Sequence, residues 1–200
     1  MKHVYVIDDD EVVASTLAQT LSRLGYTTEV YQDPLVFLQN SMPVSPAVIL
    51  LDMRMPALSG VELQQRLNAI GRKTPIVFIS GEFQTSEIIL AMKQGALDFL
   101  LKPFNLVDLL EAIETGLKKD HDLSALASQQ LSLQARYASL TPREKEVCGL
   151  LAQGCLSKKI AVDLGITNAT VKLHKARILE KLQVTSMQQL AISLAQLGSV

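Results

Sequence analysis

The stretch "HVYVIDDDEVVASTLAQTL", His3 to Leu21, decides the fold. Five residues of strand-forming character end in three consecutive carboxylates, Asp8, Asp9 and Asp10, with Glu11 next. Val12, Val13, Thr16, Leu17, Leu21 and Leu24 then recur at helical spacing. The unit is a strand, an acidic turn and a helix. Adjacent like charges repel, and the repulsion grows as water is removed. A buried strand that ends this way needs a cation to balance it.

The unit repeats. Short β-rich runs follow at "TTEVY" (27–31), "AVILLD" (47–52), "IVFIS" (76–80) and "ALDFLL" (96–101). Helical spacing appears between them at Val61, Leu63, Leu67 and Ile70, and again at Ile88, Ile89 and Met92. A last helix runs from Leu106 through Leu109, Leu110, Ile113 and Leu117. Strands alternating with such helices predict a parallel sheet, a doubly wound (βα)5 α/β domain. The first, third and fourth runs are nearly all apolar, as strands covered on both faces should be.

Ligands of open α/β sheets bind at the carboxyl ends of the strands. Those ends carry Asp8 and Asp9, then Asp52, then Ser80, then Lys102. Converging carboxylates with too few cations suit a hard divalent ion, Mg²⁺ or alternatively Mn²⁺. A lysine and a hydroxyl beside them suit a phosphoryl group. An aspartate held there can act as a nucleophile and form an aspartyl phosphate. Each residue alone has a plainer reading. Asp10, one residue ahead of the helical pattern, reads as its N-cap. Asp52 reads about equally as a polar loop residue, Ser80 as a loop hydroxyl and Lys102 as a solvated lysine. Their joint placement at four strand ends favours a site.

Composition bounds the rest. The chain has 200 residues, 48% hydrophobic, with no Trp, so aliphatic side chains must build its interior. Cys148 and Cys155 are too few for a disulfide framework and read as small buried hydrophobes. The N-terminus lacks a signal-peptide pattern and no apolar run is long enough to span a bilayer, so a cytoplasmic protein without membrane contact is expected. Net charge is −1, but it is divided. Residues 1–121 hold 10 Lys+Arg against 15 Asp+Glu, and residues 141–200 hold 8 against 4. That asymmetry points to two modules, the basic one facing a polyanion.

Residues 120–139 are rich in Ser, Gln and Ala without Gly or Pro, which predicts a helical linker. Four helical pieces follow. "TPREKEVCGLLAQG" opens on Thr141 as N-cap, with Pro142 at the first position and Glu144 completing a capping box, and closes on Gly154. "SKKIAVDLG" has Ser157 as its cap and stops at Gly165; "TNATVKLHKARILEKL" starts after Thr167; "SMQQLAISLAQLG" comes last. The middle two have a helix-turn-helix layout. Val171, Ile178 and Leu182 form the core stripe of the second. Thr170, Lys172, Leu173 and Ala176 lie nearer its opposite side, where base edges are reached. Lys158, Lys159, His174, Lys175, Arg177 and Lys181 add positive charge for phosphate contacts. Any one lysine, or His174, reads equally as a solvated surface residue.

The segments "DDD", "LLDMRMPALSG", "FISG" and "FLLKPF" together resemble the receiver domain of bacterial two-component response regulators. That resemblance implies Asp52 as phosphoacceptor from a sensor histidine kinase. It implies Asp9 as a direct Mg²⁺ ligand, Asp8 through water, and the backbone carbonyl of Arg54 as a further ligand. Lys102 would pair with the phosphoryl group, Ser80 would turn its hydroxyl towards it, and Phe99 would be the aromatic switch. It also implies a cis Lys102–Pro103 bond. Phe99 stands where tyrosine is frequent, and Gly81 where alanine is common.

"LTPREKEVCGLLAQG", "SKKIAVDLGIT" and "TVKLH" resemble the four-helix DNA-binding domain of the LuxR/NarL/FixJ class. Ser157 stands where asparagine is usual, and Ala176 where some members carry a basic residue. The expected organisation is a receiver at 3–118, a helical linker at 119–136 and an all-α helix-turn-helix domain at 137–200. The expected function is a phosphorylation-controlled transcription factor, with promoter DNA and a second copy as partners and RNA polymerase as a further candidate. It would be no enzyme beyond its own phosphoryl transfer and dephosphorylation. Competing readings are a phosphorylation-independent DNA-binding regulator and a metal-dependent phosphotransferase.

Overall fold

The computed structural model describes residues 2–40, 44–81 and 84–197. The expected close of the last helix at Gly198 lies outside them. The chain divides into two compact units, Met1–Ser124 and Ala125–Val200.

The first unit is a five-stranded parallel sheet in the order β2-β1-β3-β4-β5. Its strands are β1 (His3–Ile7), β2 (Thr27–Tyr31), β3 (Ala47–Asp52), β4 (Ile76–Ser80) and β5 (Asp98–Leu101). Helices α1 (Glu11–Arg23), α2 (Pro34–Gln39), α3 (Gly60–Ala69), α4 (Thr85–Lys93) and α5 (Leu106–Ala138) follow them in turn. The inner strands β1, β3 and β4 are buried throughout, as their apolar runs predict.

Alternate residues feed two cores. Tyr5, Ile7, Ile49, Leu51 and Phe78 pack with Phe37, Leu63, Leu67 and Ala91. Val4, Val6, Val48, Leu50, Val77 and Ile79 pack with Ala14, Leu21, Leu109, Ile113 and Leu117. Both faces of the three inner strands are therefore covered, while the edge strands β2 and β5 are partly exposed. The fold is the doubly wound α/β arrangement that the repeated strand–helix pattern predicts.

Several local expectations shift. Helix α2 carried no prediction, because six residues are too short for a helical period to show. Asp33 accepts from Leu35 N–H and Pro34 sits at its first turn, and those two residues were the available signal. Strand β5 begins at Asp98 rather than Ala96. Val12, Leu24, Ile70, Ile89 and Met92 are exposed rather than facing the core. In α4 the buried residue is Ala91, one turn from Ile88. No break in helical structure marks residues 119–136, since α5 runs through them. Asp120 is buried, accepting from Ser45 Oγ at 2.8 Å and Ala47 N–H at 3.0 Å. The Lys102–Pro103 bond is cis.

The second unit gathers the end of α5 with α6 (Pro142–Ala152), α7 (Ser157–Asp163), α8 (Asn168–Leu182) and α9 (Met187–Leu197). Its core holds Leu140, Val147, Cys148, Leu151, Ile160, Val171, Ile178, Leu182 and Leu190. Burial pushes the Cys148 thiol up to about 11, as suits a packed apolar group, and Cys155 packs half-buried against the same core. Thr141 and Glu144 form the expected capping box. Thr167 caps α8 by accepting from Thr170 N–H at 3.1 Å. Ser157 is not a cap: Leu156 takes that position without a side-chain hydrogen bond, and Ser157 is already helical.

Candidate functional site

The parallel order brings the ends of β1, β3, β4 and β5 to one edge. Asp8, Asp52 and Ser80 are all buried there. Lys102 Nζ lies 2.9 Å from Asp8 Oδ2 and 2.9 Å from Asp52 Oδ1. The other Asp52 oxygen, Oδ2, accepts from the Arg54 N–H at 2.7 Å. Asp8 Oδ1 accepts from the Asp10 N–H at 2.9 Å. Lys102 is placed by its own backbone, whose N–H donates to Ser80 C=O at 2.8 Å.

The three adjacent acids have separate environments. Asp8 is buried and paired with Lys102, whereas Asp9 is exposed. Asp10 caps α1, accepting from Val12 N–H at 2.9 Å and Val13 N–H at 3.2 Å. The charge at the helix start is thus used locally, where the dipole favours it.

One ammonium faces two buried carboxylates, so the pocket retains negative charge. Burial pushes the Asp52 carboxyl above its ordinary range. Hydrogen bonds from Lys102 and Arg54 pull the other way without overcoming it. For Lys102, burial favours the neutral amine, but the hydrogen bonds to Asp8 and Asp52 outweigh it and hold the ammonium above its ordinary value. Among the described residues no three His, Cys, Asp or Glu side chains already stand as a metal-ion cluster. The donor set nonetheless fits a hard cation: two buried carboxylates, the exposed Asp9 next in sequence to one of them, and incomplete charge balance.

Gly60 explains part of the precision. A Cβ there would stand 2.3 Å from the Asp52 carbonyl oxygen. Only glycine lets α3 start this close to the end of β3. Phe99 is half-buried against the core that holds Tyr5 and Phe78.

In the second unit, Lys158, Lys159, Lys172, Leu173, Ala176 and Arg177 are exposed. Thr170, His174 and Lys175 are half-buried. The Thr170 hydroxyl lies 2.8 Å from that of Thr167, the residue that caps the helix. Lys181 departs from the expectation of a phosphate contact. Its Nζ lies 2.6 Å from Oε2 of the buried Glu144 and serves the packing of α8 on α6. Arg136, given no role by the sequence, reaches the carboxyl end of α8, with Nη1 3.1 Å from Leu182 C=O. Neither contact had a local signal, because each joins residues far apart in the chain.

Residues 4–114 match the response regulator receiver domain family, and residues 138–194 match the bacterial regulatory proteins of the luxR family. The response regulator TmoT of Ectopseudomonas mendocina is 37% identical over 187 residues, 94% of this chain and 85% of that protein. The transcriptional regulatory protein FixJ of Rhizobium meliloti is 34% identical over 189 residues, 94% of this chain and 92% of that one. The solved structure of the response regulator StyR superposes with a TM-score of 0.88 at 39% identity, covering 97% of this chain and 98% of that one. With acids, hydroxyl and lysine gathered at one sheet edge and a helix-turn-helix in the second unit, the chain belongs to the two-component response regulators of the FixJ/NarL class, transcription regulators with a LuxR-type DNA-binding domain.

Proposed function

We propose that Asp52 is the phosphoacceptor and that its phosphorylation by a sensor histidine kinase promotes pairing of two copies and binding to promoter DNA. The observation that carries this is the Asp52 carboxylate, buried beside Lys102 at 2.9 Å with its second oxygen held by a backbone N–H. In the transfer, an Asp52 oxygen attacks phosphorus and a P–O bond forms. The P–N bond of the donor phosphohistidine breaks, and the leaving imidazole nitrogen keeps the electron pair and takes a proton from solvent. Lys102 stays as the ammonium and stabilises the oxygens of the phosphoryl group. Arg54 N–H orients the nucleophile. Ser80, at the end of β4, supplies a hydroxyl for the new group, and Phe99 on β5 would pass the change outward by packing. Positioning and electrostatics supply most of the catalysis.

Receiver domains generally bind Mg²⁺ at this site. Here Asp8, Asp9, Asp52 and the Arg54 carbonyl would hold it, and when bound it neutralises charge on the phosphoryl oxygens. Mn²⁺ would serve in the same way. The module boundaries follow as a receiver at 3–118, a helical linker at 119–136 and a DNA-binding domain at 137–200. Among the described residues no helix is long and apolar enough to cross a membrane. The setting in this reading is the cytoplasm, where a regulator reaches DNA. RNA polymerase is a further partner in this reading.

On DNA, α8 would enter the major groove with Thr170, Lys172, Leu173 and Ala176 towards the bases, and Lys158, His174, Lys175 and Arg177 towards phosphates. The test uses acetyl phosphate as donor and intact-mass spectrometry as readout. The native chain should gain one phosphoryl group and shift a promoter fragment more strongly. Asp52→Asn should gain none; a normal yield in that variant overturns the assignment.

A further inference from the structure

The carboxyl end of α8 is finished in an unusual way. Gln183 has φ 56°, and no other non-glycine among the described residues has positive φ. Its N–H donates to Glu180 C=O at 3.0 Å, and Val184 N–H donates to Leu179 C=O at 3.0 Å. This pair of bonds is a Schellman ending, at which glycine is the usual left-handed residue. Glutamine is strained there, so its side chain should have a use.

The use is visible. Arg136 Nη1 donates to Gln183 Oε1 at 3.0 Å and to Leu182 C=O at 3.1 Å. Its Nε donates to Ser132 C=O at 3.2 Å, one turn back on α5, which fixes the guanidinium on its own helix. One planar cation therefore satisfies a carbonyl that the helix leaves open and clamps the side chain of the residue that ends the helix. A cation at a helix carboxyl end also complements its dipole. On the neighbouring turn, Lys181 is tied to Glu144.

We propose that Arg136 is a positioning residue for sequence-specific DNA binding. Pinning the carboxyl end of α8 to α5 fixes the direction in which Lys172 and its neighbours, nearer the start of the same helix, approach the bases. Arg136 touches no DNA in this scheme. Its loss should therefore loosen base readout and leave the number of phosphate contacts unchanged. This rests on α8 being the reading helix.

The test measures full-length chains against two duplexes. One is enriched from a random pool by the native protein; the other is a scrambled duplex of equal length and composition. Arg136→Ala should lower the ratio of specific to non-specific affinity by about tenfold, the scale of a charged hydrogen bond. The log–log salt slope on the scrambled duplex should hold. Arg136→Lys keeps the charge but loses the fork, and should fall between. Gln183→Gly relaxes the backbone and removes one acceptor, so it should fold normally and lower the ratio by roughly threefold. An unchanged ratio in both Arg136→Ala and Gln183→Gly overturns the proposal. So does a salt slope reduced by about 0.9 in Arg136→Ala, which would make Arg136 a direct phosphate contact. Lys172→Ala serves as the control: unchanged sequence preference there would instead refute α8 as the reading helix.

Discussion

Lys102 Nζ stands 2.9 Å from Asp52 Oδ1, and that oxygen belongs to a carboxyl whose burial opposes its charge. The same ammonium also serves Asp8 at 2.9 Å. Half of a cation's attention is not enough to repay the desolvation of a buried carboxylate. The pocket holds its acid in a state that a phosphoryl group or a divalent cation relieves.

Asp52→Asn should accordingly stabilise the protein at neutral pH. The folded carboxyl titrates above its ordinary value of 3.8, so the native carboxylate is a net cost once pH exceeds its folded value. Below the ordinary value the group is neutral in both states, and the variant should gain nothing. Thermal unfolding should show a rise of a few degrees at pH 7, where 1 kcal/mol is worth about 4–8 °C in a small domain. The rise should vanish towards pH 3. An equal rise at both pH values would mean that charge is not the cause.

Magnesium should raise the melting temperature of the native chain, because a ligand that binds only the folded state stabilises it by mass action. At a concentration of 100 Kd the gain is about 2.7 kcal/mol. Asp9 is exposed, so Asp9→Asn should melt like the native chain in chelator. The variant should then respond weakly to millimolar Mg²⁺. Calorimetry with and without the ion checks both halves, and a full response in the variant would remove Asp9 from the donor set.

Gly60→Ala places a carbon where the Asp52 carbonyl already stands, 2.3 Å away. The clash is with backbone, so β3 or α3 must move, at a cost of about 1–3 kcal/mol. Urea unfolding should show that loss, and acetyl phosphate should label Asp52 more slowly. Unaltered labelling would show that the end of β3 tolerates displacement.

In the DNA-binding unit, Glu144→Gln should destabilise more at neutral than at acid pH. The Lys181 ammonium, 2.6 Å away, and the Thr141 N–H hold the Glu144 carboxyl below its ordinary value of 4.5. Its contribution is fully present above that value and is lost as pH falls through the lower folded value. The pair is partly open to solvent at Lys181, so a loss of about 1–2 kcal/mol at pH 7 is expected. The stability gap between native and variant should narrow from pH 7 to pH 3. A gap of the same size at both pH values would point to shape rather than charge.

How much was legible in advance differs by feature. The inner strands appear with correct bounds because burial on both faces demands unbroken apolar runs, which survive any arrangement of neighbours. The capping of α1 by Asp10 and of α6 by Thr141 was legible because a cap acts over three residues. Helix α2, the exposure of Ile89 and Met92, and the unbroken run of α5 were not. Short helices lack a period, and an apolar residue at a helical position does not reveal what lies opposite it.

By itself, then, the sequence determined the parallel α/β unit, the set of acids, hydroxyl and lysine at its strand ends, and the basic helix-turn-helix, since each is written in spacing along the chain. Tertiary structure alone decided the strand order that brings Asp8, Asp52, Ser80 and Lys102 to one edge. It alone made Asp8 the paired acid and left Asp9 open, and it turned Lys181 towards Glu144 and Arg136 towards the end of α8. The reason is range. Periodicity and caps depend on neighbours in sequence, whereas a salt bridge or a shared carbonyl depends on which distant residue packing brings within 3 Å.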